Sequence, residues 1–220
     1  MRLILLRHGQ TQSNVDHLID TAVPGPFLTD LGVAEAAAVP DALAHERIDA
    51  IYVSTQHRSQ QTGAPLAAAR NQVPNIREGI REISAGDFDG KTDKEIVYQF
   101  VAIEAGWVAG DLDVRMPGAD TGQEVIARFN EVVQEAFDSG HESVIFVSHG
   151  SMIRTWAAYS AKNIAADFVP KNPLHNTGMI ILEGDPKAGW DVVTWVDEAI
   201  GGAAVDDPGA AGATSDNAPK

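Results

Sequence analysis

The chain of 220 residues is long enough for one domain with a substantial core, and its 44% hydrophobic and 21% charged residues exclude a disordered chain. Its 31 acidic residues against 16 Lys and Arg give a formal net charge of −15, which disfavours nucleic acid and anionic membrane as partners. The absence of Cys excludes a disulfide scaffold, a thiolate nucleophile and a Cys-ligated metal.

The apolar run Leu3 to Leu6 follows Arg2 and is cut at once by Arg7-His8. It is too short for a secretory signal, and no stretch approaches the ~18 apolar residues of a membrane span. A cytoplasmic chain beginning at Met1 is therefore expected. The same run reads as a buried, parallel strand ending in Arg7-His8-Gly9. Pro24-Gly25-Pro26 marks a loop, and Thr29-Asp30 offers an N-cap for an Ala- and Leu-rich helix reaching about His45, kinked or broken at Pro40.

Ala50 to Val53 is a second buried strand, followed by Ser54-Thr55 and a helix from about Gln56 that carries Arg58, Gln61 and Thr62. Ile76 to Glu78 reads as a short strand. Residues 91–118 are the least regular part of the chain. Trp107, Tyr98 and Phe100 lie there and are expected to pack in the core. Thr121-x-x-Glu124 has capping-box spacing and opens a helix with Val125, Phe129, Val132, Val133 and Phe137 on one face. Ser143 to Val147 is a third buried strand, ending in Ser148-His149-Gly150, with a helix from about Ser151. Met179 to Leu182 and Trp190 to Val196 read as a late hairpin around Gly184-Asp185-Pro186. Strands alternating with helices indicate an α/β fold with a mostly parallel central sheet between helical layers. Residues 199–220 are Gly-, Ala-, Asp- and Pro-rich and carry too little apolar surface to offset ordering, so they are expected to form a disordered, dispensable tail.

In open α/β sheets the carboxyl ends of the strands line the ligand crevice. Three strand ends here carry Arg7-His8-Gly9, Ser54 to Arg58 and Ser148-His149-Gly150. A lone histidine in such a place commonly satisfies local backbone groups. Two strand-terminal His-Gly pairs, with one Arg beside the first and another after a third strand, outweigh that reading. These residue types suit phosphoryl transfer. Arg presents a planar fork of donors to phosphoryl oxygens, a neutral imidazole can act as nucleophile, and a carboxylic acid can protonate the leaving group.

Arg7-His8-Gly9-Gln10-Thr11-x-x-Asn14 resembles the first motif of the histidine phosphatase, or phosphoglycerate mutase-like, superfamily. Ser54-Thr55-x-x-Arg58-x-x-Gln61-Thr62 is similar to its second arginine motif. Ile80-x-Glu82-Ile83-x-x-Gly86-x-Phe88-x-Gly90 is similar to its acid motif, and Val147-Ser148-His149-Gly150 to its second histidine motif. The four occur in family order across residues 1–198. The resemblance implies a three-layer α/β/α domain over 1–198, with 91–118 as a segment covering the active site. It implies His8 as the nucleophile that becomes phosphohistidine. Arg7, Arg58, His149, Asn14 and Gly150 would bind the phosphoryl group, and Glu82 would serve as proton donor and later as base. It implies no metal and no organic cofactor, and a small phosphorylated metabolite as substrate. A homodimer is left open.

His17, His57 and His175 are weaker candidates for substrate contact, and His45 and His141 read as surface residues. A cofactor-dependent phosphoglycerate mutase is the alternative. Two departures favour a phosphatase: the segment between Glu82 and His149 is short for a mutase, and Val15-Asp16-His17-Leu18-Ile19-Asp20 replaces a Trp- and Gly-containing stretch. A non-catalytic phospho-ligand binder would lack His8 or Glu82. A metal hydrolase using His8 and His149 lacks recognisable ligand spacing.

Overall fold

The computed structural model describes residues 1–165, 168, 171–207, 209 and 212–214. Its centre is a six-stranded sheet in the order β3-β2-β4-β1-β5-β6. The strands are β1 (Arg2–Arg7), β2 (Ala50–Val53), β3 (Asn75–Ile76), β4 (Ser143–Ser148), β5 (Met179–Asp185) and β6 (Gly189–Val196). β3, β2, β4 and β1 run parallel, while β5 and β6 form the expected antiparallel hairpin.

Because side chains alternate across a strand, each continuous apolar run feeds two cores. Leu3 and Leu5 join one apolar cluster, and Ile4 and Leu6 join the other. The second cluster is covered by α2 (Asp30–Ala42) and α3 (His57–Arg70) through Val39, Leu66 and Ala67. The first is covered by α4 (Lys94–Ala109), α5 (Gly122–Asp138) and α6 (Gly150–Ser160) through Phe100, Phe129 and Trp156. The result is the helix–sheet–helix layering expected from the sequence. A single turn, α1 (Gln12–Val15), carries the end of the first motif.

Thr29 caps α2 by accepting from the Gly32 N–H, and Thr121 and Glu124 close the expected capping box on α5. α2 stops at Ala42 rather than near His45, and Pro40 lies inside its last turn. There the missing N–H removes only one of the final hydrogen bonds, so the helix ends instead of breaking. The third strand is Asn75–Ile76, one residue earlier than expected, and Glu78–Ile80 is a 3₁₀ turn.

The expectations for residues 91–118 change more. The segment read as irregular contains the sixteen-residue α4, N-capped by Asp93 and ended by Gly110. Its buried positions Val97, Phe100, Glu104 and Trp107 follow helical spacing, and an acid in that stripe weakened the pattern. Tyr98 is 53% exposed and is not a core residue, unlike Phe100 and Trp107. Of the described residues of the tail, Ala199, Gly212 and Ala213 are buried, whereas Gly202, Ala203, Ala204, Asp207 and Gly209 are exposed. A Gly- and Ala-rich segment cannot form a core of its own, but small side chains fit a crevice that the domain already provides. Residues 208, 210, 211 and 215–220 of the expected tail lie outside the described residues.

Candidate active site

Parallel pairing puts the ends of β1, β2 and β4 on one edge, with Arg7 opposite Ser148 and Val53 opposite Val147. The chain leaves each strand there, and the polar residues that follow converge. Arg7, His8, Asn14, Arg58, Glu82 and Gly150 line a single cavity. His149 is fully buried one layer behind it.

Hydrogen bonds fix the tautomer of His8. Its Nδ1 lies 2.7 Å from the Gly9 carbonyl oxygen, which can only accept, so Nδ1 carries the proton. Nε2 therefore bears the lone pair, and it accepts from Arg58 Nε at 3.2 Å. The same Arg58 N–H lies 3.2 Å from His149 Nδ1, while His149 Nε2 sits 2.8 Å from Ser54 Oγ. The two imidazoles are 5.1 Å apart between ring centroids. Burial first, and then Arg58, hold both well below the usual histidine range; Arg7 adds to this at His8, and His8 itself adds to it at His149. Both rings are therefore neutral at physiological pH, the state a nucleophilic imidazole needs.

The cations are local, as an anionic ligand on an acidic protein requires. Arg7 is buried, which pulls its pKa down to about 10 against the opposing charge of Glu82. Its guanidinium lies along Gly150, where an added Cβ would come within 3.1 Å of Nε. Arg58 Nη2 donates to the Asp20 carbonyl, and its buried Nη1 has no acceptor among the described residues. An unsatisfied buried donor costs ~1–3 kcal/mol, a cost that a bound anion would remove. Thr62 ties the first and second motifs together by accepting from Gly9 N–H and donating to the Arg58 carbonyl. Asn14 Oδ1 is occupied by Thr11 and by Asn176 Nδ2, which leaves its amide N–H groups as donors.

Glu82 is held by backbone. Its Oε1 accepts from Ile83 N–H and Met152 N–H, each at 2.9 Å, whereas Oε2 has one long contact of 3.4 Å from Ser151 N–H. The first turn of α6 thus orients the carboxyl, and Oε2 is the oxygen left to exchange a proton. Arg128 fixes the loop below it by donating to the carbonyls of Gly79, Arg81 and Glu82. Gln56 accepts from Glu82 N–H and donates to Thr21 and Ala22.

Two further acids lie close by without a sequence signal for a role. Glu35 accepts from Gln10 N–H at 2.5 Å, and burial pushes it up to about 7. Glu104, on α4, is pushed up to about 8 by burial and then by Glu82. Ser54, Gln56, Asn176, Arg128 and Arg154 are the other polar groups around the site that sequence reasoning gave no role. Ser54 and Gln56 were at least within a recognised motif, whereas Asn176 had no signal. The weaker histidine candidates, His17, His57 and His175, do not line the cavity. His57 stacks on Phe27 at 4.4 Å, and His175 pairs with Asp206. His45 is exposed and His141 half-buried. No three His, Asp or Glu side chains are grouped as metal ligands among the described residues. None of their helices is long and apolar enough to cross a membrane.

Comparison with known proteins shows the family of the chain. The family model of the histidine phosphatase superfamily (branch 1) matches residues 3–198. A PE-PGRS family protein of Mycobacterium tuberculosis is 34% identical over 91% of the chain, which spans 37% of that relative's length. The glucosyl-3-phosphoglycerate phosphatase of the same organism is 25% identical, with 88% of this chain and 91% of the relative aligned. The structure of a mycobacterial glucosyl-3-phosphoglycerate phosphatase with VO3 superposes with a TM-score of 0.74 at 26% identity, covering 89% of this chain and 98% of that one. A 2,3-bisphosphoglycerate-dependent phosphoglycerate mutase of Methylocella silvestris is 30% identical over 69% of this chain and 77% of its own.

Proposed function

The chain belongs to the histidine phosphatase superfamily, and from that premise we propose that it hydrolyses a small phosphorylated metabolite through a phosphohistidine at His8, without a metal ion. The observation that carries this reading is the His8 tautomer: a neutral ring with its lone pair on Nε2, beside Arg58 and on the wall of a cavity that also holds Arg7 and Glu82. Phosphatases among the relatives support the hydrolytic branch.

In the first step His8 Nε2 attacks phosphorus and the bond to the leaving oxygen breaks. Arg7 and Arg58 spread their donors over the three phosphoryl oxygens, and Asn14 adds its amide N–H. Glu82 Oε2 gives its proton to the leaving alkoxide. His149 acts from behind the cavity, where its Nδ1 accepts from Arg58 Nε and holds that guanidinium against the phosphoryl group. In the second step water attacks phosphorus, Glu82 takes the water proton, and the P–N bond breaks to regenerate neutral His8 and release inorganic phosphate.

A phosphoglycerate mutase is the second reading, favoured by the Methylocella silvestris relative. It needs a second phosphorylated acceptor in place of water. One experiment separates the readings. Phosphate release from a panel of phosphomonoesters, in excess chelator, is measured beside 2,3-bisphosphoglycerate-dependent mutase activity. Turnover by release in chelator supports the phosphatase; mutase activity without release would replace it. The reading also keeps the chain in the cytoplasm, to be tested by cell fractionation.

A further inference from the structure

The C-terminal segment reaches into the active-site cavity. Gly212, Ala213 and Thr214 line it together with Arg7, His8 and Glu82. Ala213 is 5% exposed and belongs to the same apolar cluster as Phe100 and Met152. The Thr214 carbonyl accepts from Arg154 Nη1 at 3.2 Å. Two acids moor the approach to this stretch. Asp206 accepts from Ala199 N–H and lies 3.3 Å from His175 Nδ1. Asp207 accepts from Gln10 Nε2, two residues beyond His8.

With the segment seated, the cavity measures about 50 Å³. Pockets that hold drug-sized ligands run to ~300–1,000 Å³. The remaining space suits a phosphoryl group and a short alcohol, not a sugar or nucleoside attached to one. Gly212 is what lets the backbone come this close. Its φ is +99°, and a Cβ there would lie 2.9 Å from Asn14 Nδ2 and 3.4 Å from Arg7 Nη2.

We propose that residues 212–214 form a wall of the substrate pocket and set its specificity, admitting phosphomonoesters of small alcohols and excluding bulky ones. This rests on the phosphatase reading above. Asp206 and Asp207 hold the wall in place, so the discriminating element lies outside the four motifs that carry the chemistry.

The test uses Gly212→Val in the full chain, which a β-branched residue at positive φ should drive out of the pocket. The kcat/KM for a nucleoside monophosphate, relative to that for 3-phosphoglycerate, should rise about tenfold or more, the scale on which pocket size discriminates. A chain ending at Asp207, which keeps both moorings, should show the same shift. An unchanged ratio in the folded variants overturns the proposal. Amide exchange at 212–214 in the unaltered chain needs neither variant: slow exchange supports a seated wall, and exchange at the rate of an unstructured peptide overturns it. Calorimetric Kd values for the two esters separate this proposal from its premise. A shifted Kd ratio without turnover of any ester removes the phosphatase and leaves the wall.

Discussion

The Gly9 carbonyl receives Nδ1–H of His8 at 2.7 Å, so a residue adjacent in sequence decides which nitrogen of His8, the proposed nucleophile, bears the lone pair. The covalent linkage is therefore expected at Nε2. Rapid quench with labelled substrate should trap an acid-labile, base-stable phosphoenzyme, and NMR should place phosphorus on Nε2. His8→Ala should abolish both. Phosphorus on Nδ1 would contradict this tautomer.

Arg58 serves two histidines with one N–H and is the residue most exposed to conservative replacement. Arg58→Ala should lower kcat by about 10²–10³, the range for one preorganised donor at developing charge. Arg58→Lys should recover little, because a point charge lacks the fork and cannot place a donor between both rings. A Lys variant with unchanged kcat/KM would remove Arg58 from the site.

Glu82 is tested through the leaving group. An alkoxide needs a proton to depart and a nitrophenolate does not. In single-turnover measurements Glu82→Gln should slow phosphoenzyme formation about a hundredfold or more for alkyl phosphates, within the usual range for general acids, and much less for nitrophenyl phosphate. Equal losses would leave Glu82 as a positioning residue only.

The buried acids and histidines give stability a pH dependence of known sign. Glu35 and Glu104 are raised from an ordinary 4.5 to about 7 and about 8. The folded state then holds more protons than the unfolded one above 4.5, so their contribution is full below that pH and is lost as pH rises through 7 and 8. His8 and His149 are lowered from 6.5, so their contribution is present above 6.5 and lost on acidification. Urea unfolding should show stability falling from pH 6.5 to 8, and Glu104→Gln should flatten that fall. An unchanged slope in Glu104→Gln would mean that Glu104 titrates as an exposed acid.

Gly150 tests the packing of Arg7. In Gly150→Ala the added Cβ meets the guanidinium near 3.1 Å and must shift it by a few tenths of an ångström. KM should rise while the melting temperature stays within a few degrees, because the clash falls on a side chain rather than on backbone. A variant with wild-type KM would mean that Arg7 moves without consequence for substrate.

The sequence by itself determined the sheet strands and the residues at their ends, because continuous apolar runs and the polar turns that follow are local patterns. It also located the capped helix α5, whose apolar stripe repeats cleanly. It did not show α4, where Glu104 interrupts the stripe, since burial of a carboxyl at that position depends on neighbours from α6 and the acid loop. The four motifs named His8, Arg58, Glu82 and His149, but not that one Arg58 N–H serves both imidazoles or that His149 stands behind the cavity. Those facts follow from the parallel register of β1, β2 and β4, which joins residues 50 to 91 positions apart. Composition also does not show that Gly212, Ala213 and Thr214 line the same cavity as Arg7 and Asn14. A segment whose order depends on another surface carries no pattern of its own to read, and only the tertiary structure decides it.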